Sequence, residues 1–182
     1  MMYTGEKVRL REYRKEDAAL AQAYMNDPEI KRLLGGPPFP LTLWDEEKWV
    51  AQQSARSDTY SFAIETLSDT RYIGGCGINQ LDWKNRVVEL GIFIGDKAYW
   101  DQGYGTDALK VLLRFVFAQL NMHKVSLRVL SFNARAQKVY KRLGFQEEGR
   151  LREERFVDGE YYDLVIMGLL QEEYYATKEE SK

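Results

Sequence analysis

A chain of 182 residues with 45% hydrophobic and 30% charged side chains is long enough for one fully cored domain and short for two. Its 26 basic and 28 acidic residues are well mixed and leave a formal net charge of -2, so no clustered basic footprint for nucleic acid is predicted. Cys76 is the only cysteine and His123 the only histidine, which excludes an intrachain disulfide and argues against a zinc site.

The N-terminal MMYTGEKVRLREY lacks an apolar signal core, and no run approaches the length of a membrane span, so a soluble cytoplasmic protein is expected. Residues 8–12 alternate enough for a short strand, and 14–26 read as a helix ended by Asn26-Asp27-Pro28. Five Gly and Pro residues make 33–42 a loop, and 44–55 read as a second helix. Strands at 60–65 and 72–79 form a hairpin around Ser68-Asp69, the second carrying Gly74, Gly75 and Gly77, which mark a bulge or a close backbone approach. A strand at 86–94 is followed by a helix at 105–120, whose apolar stripe is Leu109, Leu112, Leu113, Val116, Phe117 and Leu120. Then come a strand at 124–130, a short helix at 134–143 stopped by Gly144, and two strands, 146–157 and 160–170, meeting at a type I′ Asp158-Gly159 turn. The class is α/β: one domain over residues 1–175 with a loose tail at 176–182. Its strand–helix–strand centre is a parallel crossover flanked by antiparallel hairpins, so the sheet must be mixed, with about seven strands and about four helices.

Residues 86–145 hold three provisions in sequence. Gln102, Gly103, Tyr104, Gly105 and Thr106 lie between a strand and an amphipathic helix, where glycines let unpaired N–H groups face an anion. A bare turn would also account for the glycines. No Gly-Lys-Ser/Thr ending and no third Gly follows, so neither a nucleotide P-loop nor a dinucleotide fingerprint is present. Glu89 is the sole charge in an apolar strand, on the face of Val87, Gly91 and Phe93; such surroundings would make it a better proton acceptor than an exposed carboxylate. An exposed strand end, or a pair with Arg86, is the plainer alternative. Asn133 fits a helix N-cap, and Tyr140, two turns on, shares its face; a core aromatic is the plainer reading of Tyr140.

Together these residues resemble the GNAT N-acetyltransferase superfamily over nearly the whole chain. Trp100-Asp101-Gln102-Gly103-Tyr104-Gly105 is similar to its Gln/Arg-x-x-Gly-x-Gly/Ala motif, with Trp100 in place of Gln or Arg, and Asn133, Ala136, Tyr140, Gly144 and Phe145 match the motif that follows. The resemblance implies acetyl-CoA as the cofactor and no metal. Backbone groups of Ile92, Phe93 and Ile94 would pair with its pantetheine arm, and N–H groups from Gln102 to Thr106 would hold its pyrophosphate. Asn133 would bond the amide arm, Tyr140 would protonate the departing thiolate, and Glu89 would be the general base. The opening VRLREYRKEDA, the segment NDPEI and the ending GRLREERFVDGEYYDLVIMGLL resemble the branch holding ribosomal-protein N-terminal and spermidine acetyltransferases. Related proteins often pair as homodimers.

Amide formation needs a neutral amine. Deprotonating a side-chain or polyamine nitrogen at pH 7 costs about 4.6 kcal/mol, against about 1.4 for a protein α-amine. A polyamine site also needs clustered carboxylates, and the loop 33–42 offers none. The expected acceptor is therefore a protein N-terminus or a small-molecule amine, with a polyamine or an amino sugar as alternatives. A reading of another class is a CoA-binding sensor or interaction module that no longer catalyses transfer.

Overall fold

Seven strands and six helices make up most of the described residues, 2–53 and 59–179, of the computed structural model. In chain order they are β1 (Val8–Arg11), α1 (Ala18–Asn26), α2 (Pro28–Leu34), α3 (Leu43–Gln52), β2 (Tyr60–Thr66), β3 (Tyr72–Asp82), β4 (Val87–Ile94), α4 (Tyr104–Ala118), β5 (Lys124–Leu130), α5 (Ala134–Arg142), β6 (Gln146–Val157), β7 (Glu160–Leu170) and α6 (Gln171–Glu179). The sheet runs β1-β2-β3-β4-β5-β7-β6, and among the described residues β4–β5 is its only parallel pair. The mixed sheet, with a crossover at its centre and a hairpin on either side, is the expected one.

Alternation on β2 and β3 sorts the two faces. Ile64 and Ile73 join the main core with Leu109, Leu112, Leu113, Val116 and Phe117 of α4, while their neighbours Ala63 and Tyr72 meet Ala21 of α1 in a smaller cluster. The predicted stripe of α4 is the face it buries; only Leu120, beyond the helix end, stays half-buried. Each such Leu, fully buried, stabilises the fold by about 1.5–3 kcal/mol.

Two helices were not foreseen. Asn26-Asp27-Pro28 ends α1, but it also starts α2: the Asp27 side chain accepts from the N–H groups of Glu29 and Ile30, and Pro28 occupies the first turn, where a missing N–H is harmless. α6 carries the chain helically through Glu179, into the stretch expected to be loose; residues 180–182 lie outside the described residues. The predicted second helix begins one residue early, under a Thr42–Asp45 capping box, and its expected end at 54–55 also lies outside the described residues.

A buried ion network ties the sheet edge to α1. The Arg11 guanidinium holds Asp17 at 2.7 and 2.9 Å and Glu65 at 2.5 Å. Burial alone would push the Glu65 carboxyl up, but Arg11 and Arg9 outweigh it and hold the group below the usual carboxylate range. The stability this contributes is present above the ordinary Glu range and is lost as acid protonates the folded protein.

Candidate active site

The one parallel pairing is brief. β4 and β5 are in register only at Val87↔Lys124, Val88↔Val125 and Glu89↔Ser126; beyond these, β4 pairs with β3 alone and β5 with β7 alone. The two strands therefore fork. The opening is a cleft walled by Ile30, Leu33 and Leu34 of α2, the start of α4, and α5.

Of the residues singled out in the sequence, the fork brings together Ile92, Phe93 and Ile94 of β4, then Gly103, Tyr104, Gly105 and Thr106, then Asn133 and Tyr140. On β4 the backbone groups alternate in direction. Phe93, opposite Gly75, faces β3, so the N–H and C=O groups of Ile92 and Ile94 face the fork. Trp100 Nε1 donates to the Ile94 carbonyl at 2.7 Å. That leaves both groups of Ile92 and the N–H of Ile94 for an extended ligand.

At the head of α4, Asp101 (φ 56°) and Gly103 (φ 85°) adopt left-handed conformations that turn successive N–H groups inward. Gly103 is the N-cap and has no side chain with which to satisfy them, so the first turn presents uncapped donors backed by the helix dipole. Gln102 is not brought into the cleft lining; its side chain turns back to the Ala98 carbonyl, and only its backbone can serve. The Arg135 guanidinium stacks 3.7 Å over the Trp100 ring, with Nη1 3.7 Å from Asp101. The Trp at this position is thus a shelf that holds a cation beside the cradle. This fits an anionic diphosphate on one side of the fork and a narrow extended arm along β4.

Asn133 caps α5, its Oδ1 accepting from the Ala136 N–H at 3.1 Å, which leaves Nδ2 to offer to the cleft. Gly144 (φ 94°) ends the helix in a left-handed turn, with the Phe145 N–H on the Tyr140 carbonyl and the Phe145 ring 6.0 Å from that of Tyr140. Tyr140 is 8% exposed, and burial pushes its phenol up to about 12, so it stays protonated through the neutral range.

Glu89 sits at the base of the fork, outside the cleft lining, and its carboxylate meets Arg128 at 2.9 Å. Arg86, the partner considered from the sequence, bonds Asn121 instead. Several contributors carried no local sequence signal. Asp107, buried in the first turn of α4, accepts from the N–H groups of Glu6, Lys7 and Val8 and so fastens the N-terminal segment beside the cradle. Arg32 of α2 reaches Asp158 of the β6–β7 turn at 3.0 Å and lies 4.3 Å over Phe132, strapping the two loops together. The N-terminal acidic residues of a helix and the N-cap asparagine are ordinary signals; these long-range partners are not.

The acetyltransferase (GNAT) domain family matches residues 7–146. An uncharacterised prophage-derived N-acetyltransferase of Bacillus subtilis is 31% identical over 174 residues, covering 94% of each chain. Spermidine N(1)-acetyltransferase of Escherichia coli is 28% identical over 183 residues, covering 96% of this chain and 92% of its own. The structure of spermidine N-acetyltransferase from Vibrio cholerae, in complex with CoA and spermine, superposes with a TM-score of 0.85 at 26% identity, covering 92% of this chain and 98% of that one. Among the described residues no cluster of His, Cys, Asp and Glu could hold a metal ion, and no helix is long and apolar enough to cross a membrane.

Proposed function

Because the chain belongs to the acetyltransferase (GNAT) domain family, we propose that it moves the acetyl group of acetyl-CoA onto a primary amine bearing one positive charge, a protein N-terminus or a small-molecule amine, with both substrates in the cleft. When bound, acetyl-CoA supplies a thioester. This chain's own part is to hold it and to manage two protons. The free groups of Ile92 and Ile94 would pair with the pantetheine arm, N–H groups from Gln102 to Thr106 would take the pyrophosphate, and Asn133 Nδ2 would reach an amide of the arm. Tyr140, held protonated by burial, would give its proton to the departing sulfur. Glu89, at the base of the fork, would be the general base while sharing its charge with Arg128.

The acceptor assignment rests on the state of the carboxylates around the cleft. Asp27 and Glu29 hold Lys97 at 2.8 and 2.9 Å, Asp158 holds Arg32, Asp163 holds Arg150, and Asp101, the acidic residue in the lining, faces Arg135. Several ammonium charges on one ligand would find these counter-charges already engaged. The second reading, a polyamine acceptor, is favoured by the names of the full-length relatives. The test is thiol release from acetyl-CoA with a panel of α-amine peptides, simple alkylamines, amino sugars and spermidine. Monoamines are expected to give the highest kcat/KM; spermidine exceeding all of them tenfold would overturn the assignment.

Arg135→Ala should raise the KM for acetyl-CoA about tenfold, the loss of one charge-assisted contact to phosphate, with kcat little changed. Initial rates against acetyl-CoA concentration check this; an unchanged KM would remove Arg135 from the cofactor site.

A further inference from the structure

The Arg32–Asp158 pair joins α2 to the β6–β7 turn, yet neither element depends on it. Asp27 caps α2, Ile30 buries its inner face, and Gly35 at its end packs on the Leu130 side chain. The turn is closed by its own left-handed pair, Asp158 (φ 52°) and Gly159 (φ 90°). The ion pair is wet, its side chains 42% and 69% exposed, and such a contact contributes about 0–1 kcal/mol to stability. Its place is more informative than its strength. Leu33 and Leu34, next to Arg32 on α2, line the cleft, and so does Asn133, next to Phe132.

The guanidinium meets more than one acid. Its Cζ lies 4.3 Å over the face of the Phe132 ring, while Nε donates to Asp158 Oδ2 at 3.0 Å. Tyr162 stands against the same ring, the two meeting edge to face at 4.5 Å, and its hydroxyl donates to Glu160 at 2.5 Å. An aromatic face with a carboxylate beside it is the arrangement that recognises a ligand cation. Two other arginines of the hairpin turn elsewhere. Arg155, opposite Tyr162 in register, meets Glu154 at 3.9 Å, and Arg150 meets Glu147 and Asp163. Beside the cleft, then, stands a cation site that the chain fills with its own side chain.

We propose that Arg32 determines which amines are acetylated: its guanidinium takes, from within the chain, the cage of Phe132, Tyr162 and Asp158 that the second ammonium of a diamine or polyamine would otherwise occupy. This rests on the acetyl-transfer reading above and gives the preference for singly charged acceptors a structural cause. A tethered cation competes at an effective concentration on the order of millimolar. A free diamine must displace it, so below that range the second ammonium adds nothing to binding. A monoamine has no second charge and does not use the cage.

The test is the ratio of kcat/KM for diaminobutane, and for spermidine, to that for butylamine, measured by thiol release from acetyl-CoA. Arg32→Ala should raise both ratios about tenfold, the gain of one charge-assisted contact, through a lower KM for the multiply charged amine. Arg32→Gln should do the same and carries the comparison if the Ala variant does not fold. Arg32→Lys, which keeps a cation in the cage, should hold the ratios within about threefold of the unsubstituted protein. Adding Phe132→Leu to Arg32→Ala leaves the charge alone, removes the ring, and should cancel most of the gain. Ratios unchanged in Arg32→Ala and Arg32→Gln, with butylamine still turned over, would overturn the proposal and leave the acetyl-transfer reading standing. A gain that survives the loss of Phe132 would also overturn it, because relief of long-range repulsion alone would then account for the change. Thiol release with no amine in the unsubstituted protein would overturn the acetyl-transfer reading along with this one.

Discussion

Tyr140→Phe is expected to lower kcat about a hundredfold while leaving the KM for acetyl-CoA within about threefold. The ring lies 6.0 Å from Phe145 and is almost wholly buried, so the Phe variant keeps the packing and loses only the hydroxyl. What that hydroxyl would do is meet the sulfur as it leaves. A thiolate departing into an apolar cleft without a proton is a poor leaving group, and an acid placed there acts only in the transition state. The direction of the phenol's shift matters: burial raises it to about 12, so the acid form persists across the whole working range. No limb of the pH–rate profile between neutrality and about pH 11 should therefore belong to Tyr140, and the variant should keep the alkaline behaviour of the parent over that range. Steady-state kinetics decide the matter; unchanged turnover would remove Tyr140 as the acid.

Asp107→Ala should destabilise the fold by about 3 kcal/mol, because three backbone N–H groups lose a charged acceptor and the Val8 donor is left buried without a partner. For a domain of this size that corresponds to a fall in Tm of about 6–12 °C, read by thermal denaturation. The loss should not stop at stability. Gly5 packs against the Asp107 carboxylate so closely that a side chain there would collide with it, and Lys7 stands 5.2 Å over the Tyr104 ring at the head of α4. Releasing that segment should raise the KM for acetyl-CoA, and Asp107→Asn, which keeps an acceptor oxygen, should recover part of both effects. A Tm unchanged in the Ala variant would show that water satisfies these donors.

The residues that could be read from the chain are those whose roles are local. The stripe of α4, and the spacing from Asn133 through Tyr140 to Gly144 and Phe145, follow from helix geometry within one element, and the structure places them as that geometry requires. Asn26-Asp27-Pro28 was half legible, since the same three residues end one helix and cap the next. The partner of Glu89 was beyond reach. Which β5 residue meets it depends on a parallel register of three pairs, set by a crossover of 29 residues, and nothing near Glu89 in sequence points to Arg128. Glu46 was hidden for the opposite reason. In the run Asp45-Glu46-Glu47-Lys48 it looks like one more charge on a wetted helix face, and only its burial in the folded protein shows that it is not.

The fork between β4 and β5 also bears on what the protein must keep out. An interrupted strand pairing is an open sheet edge, the kind of surface on which stray chains aggregate. Here that edge is only a few residues long, and it lies within the cleft walled by α2 and α5 instead of at the rim of the sheet. Its last carbonyl is already satisfied by the Trp100 indole, so a second polypeptide could not complete a ladder along it. The feature that leaves backbone groups open within the cleft thus also keeps them from a second chain, and so guards against self-association.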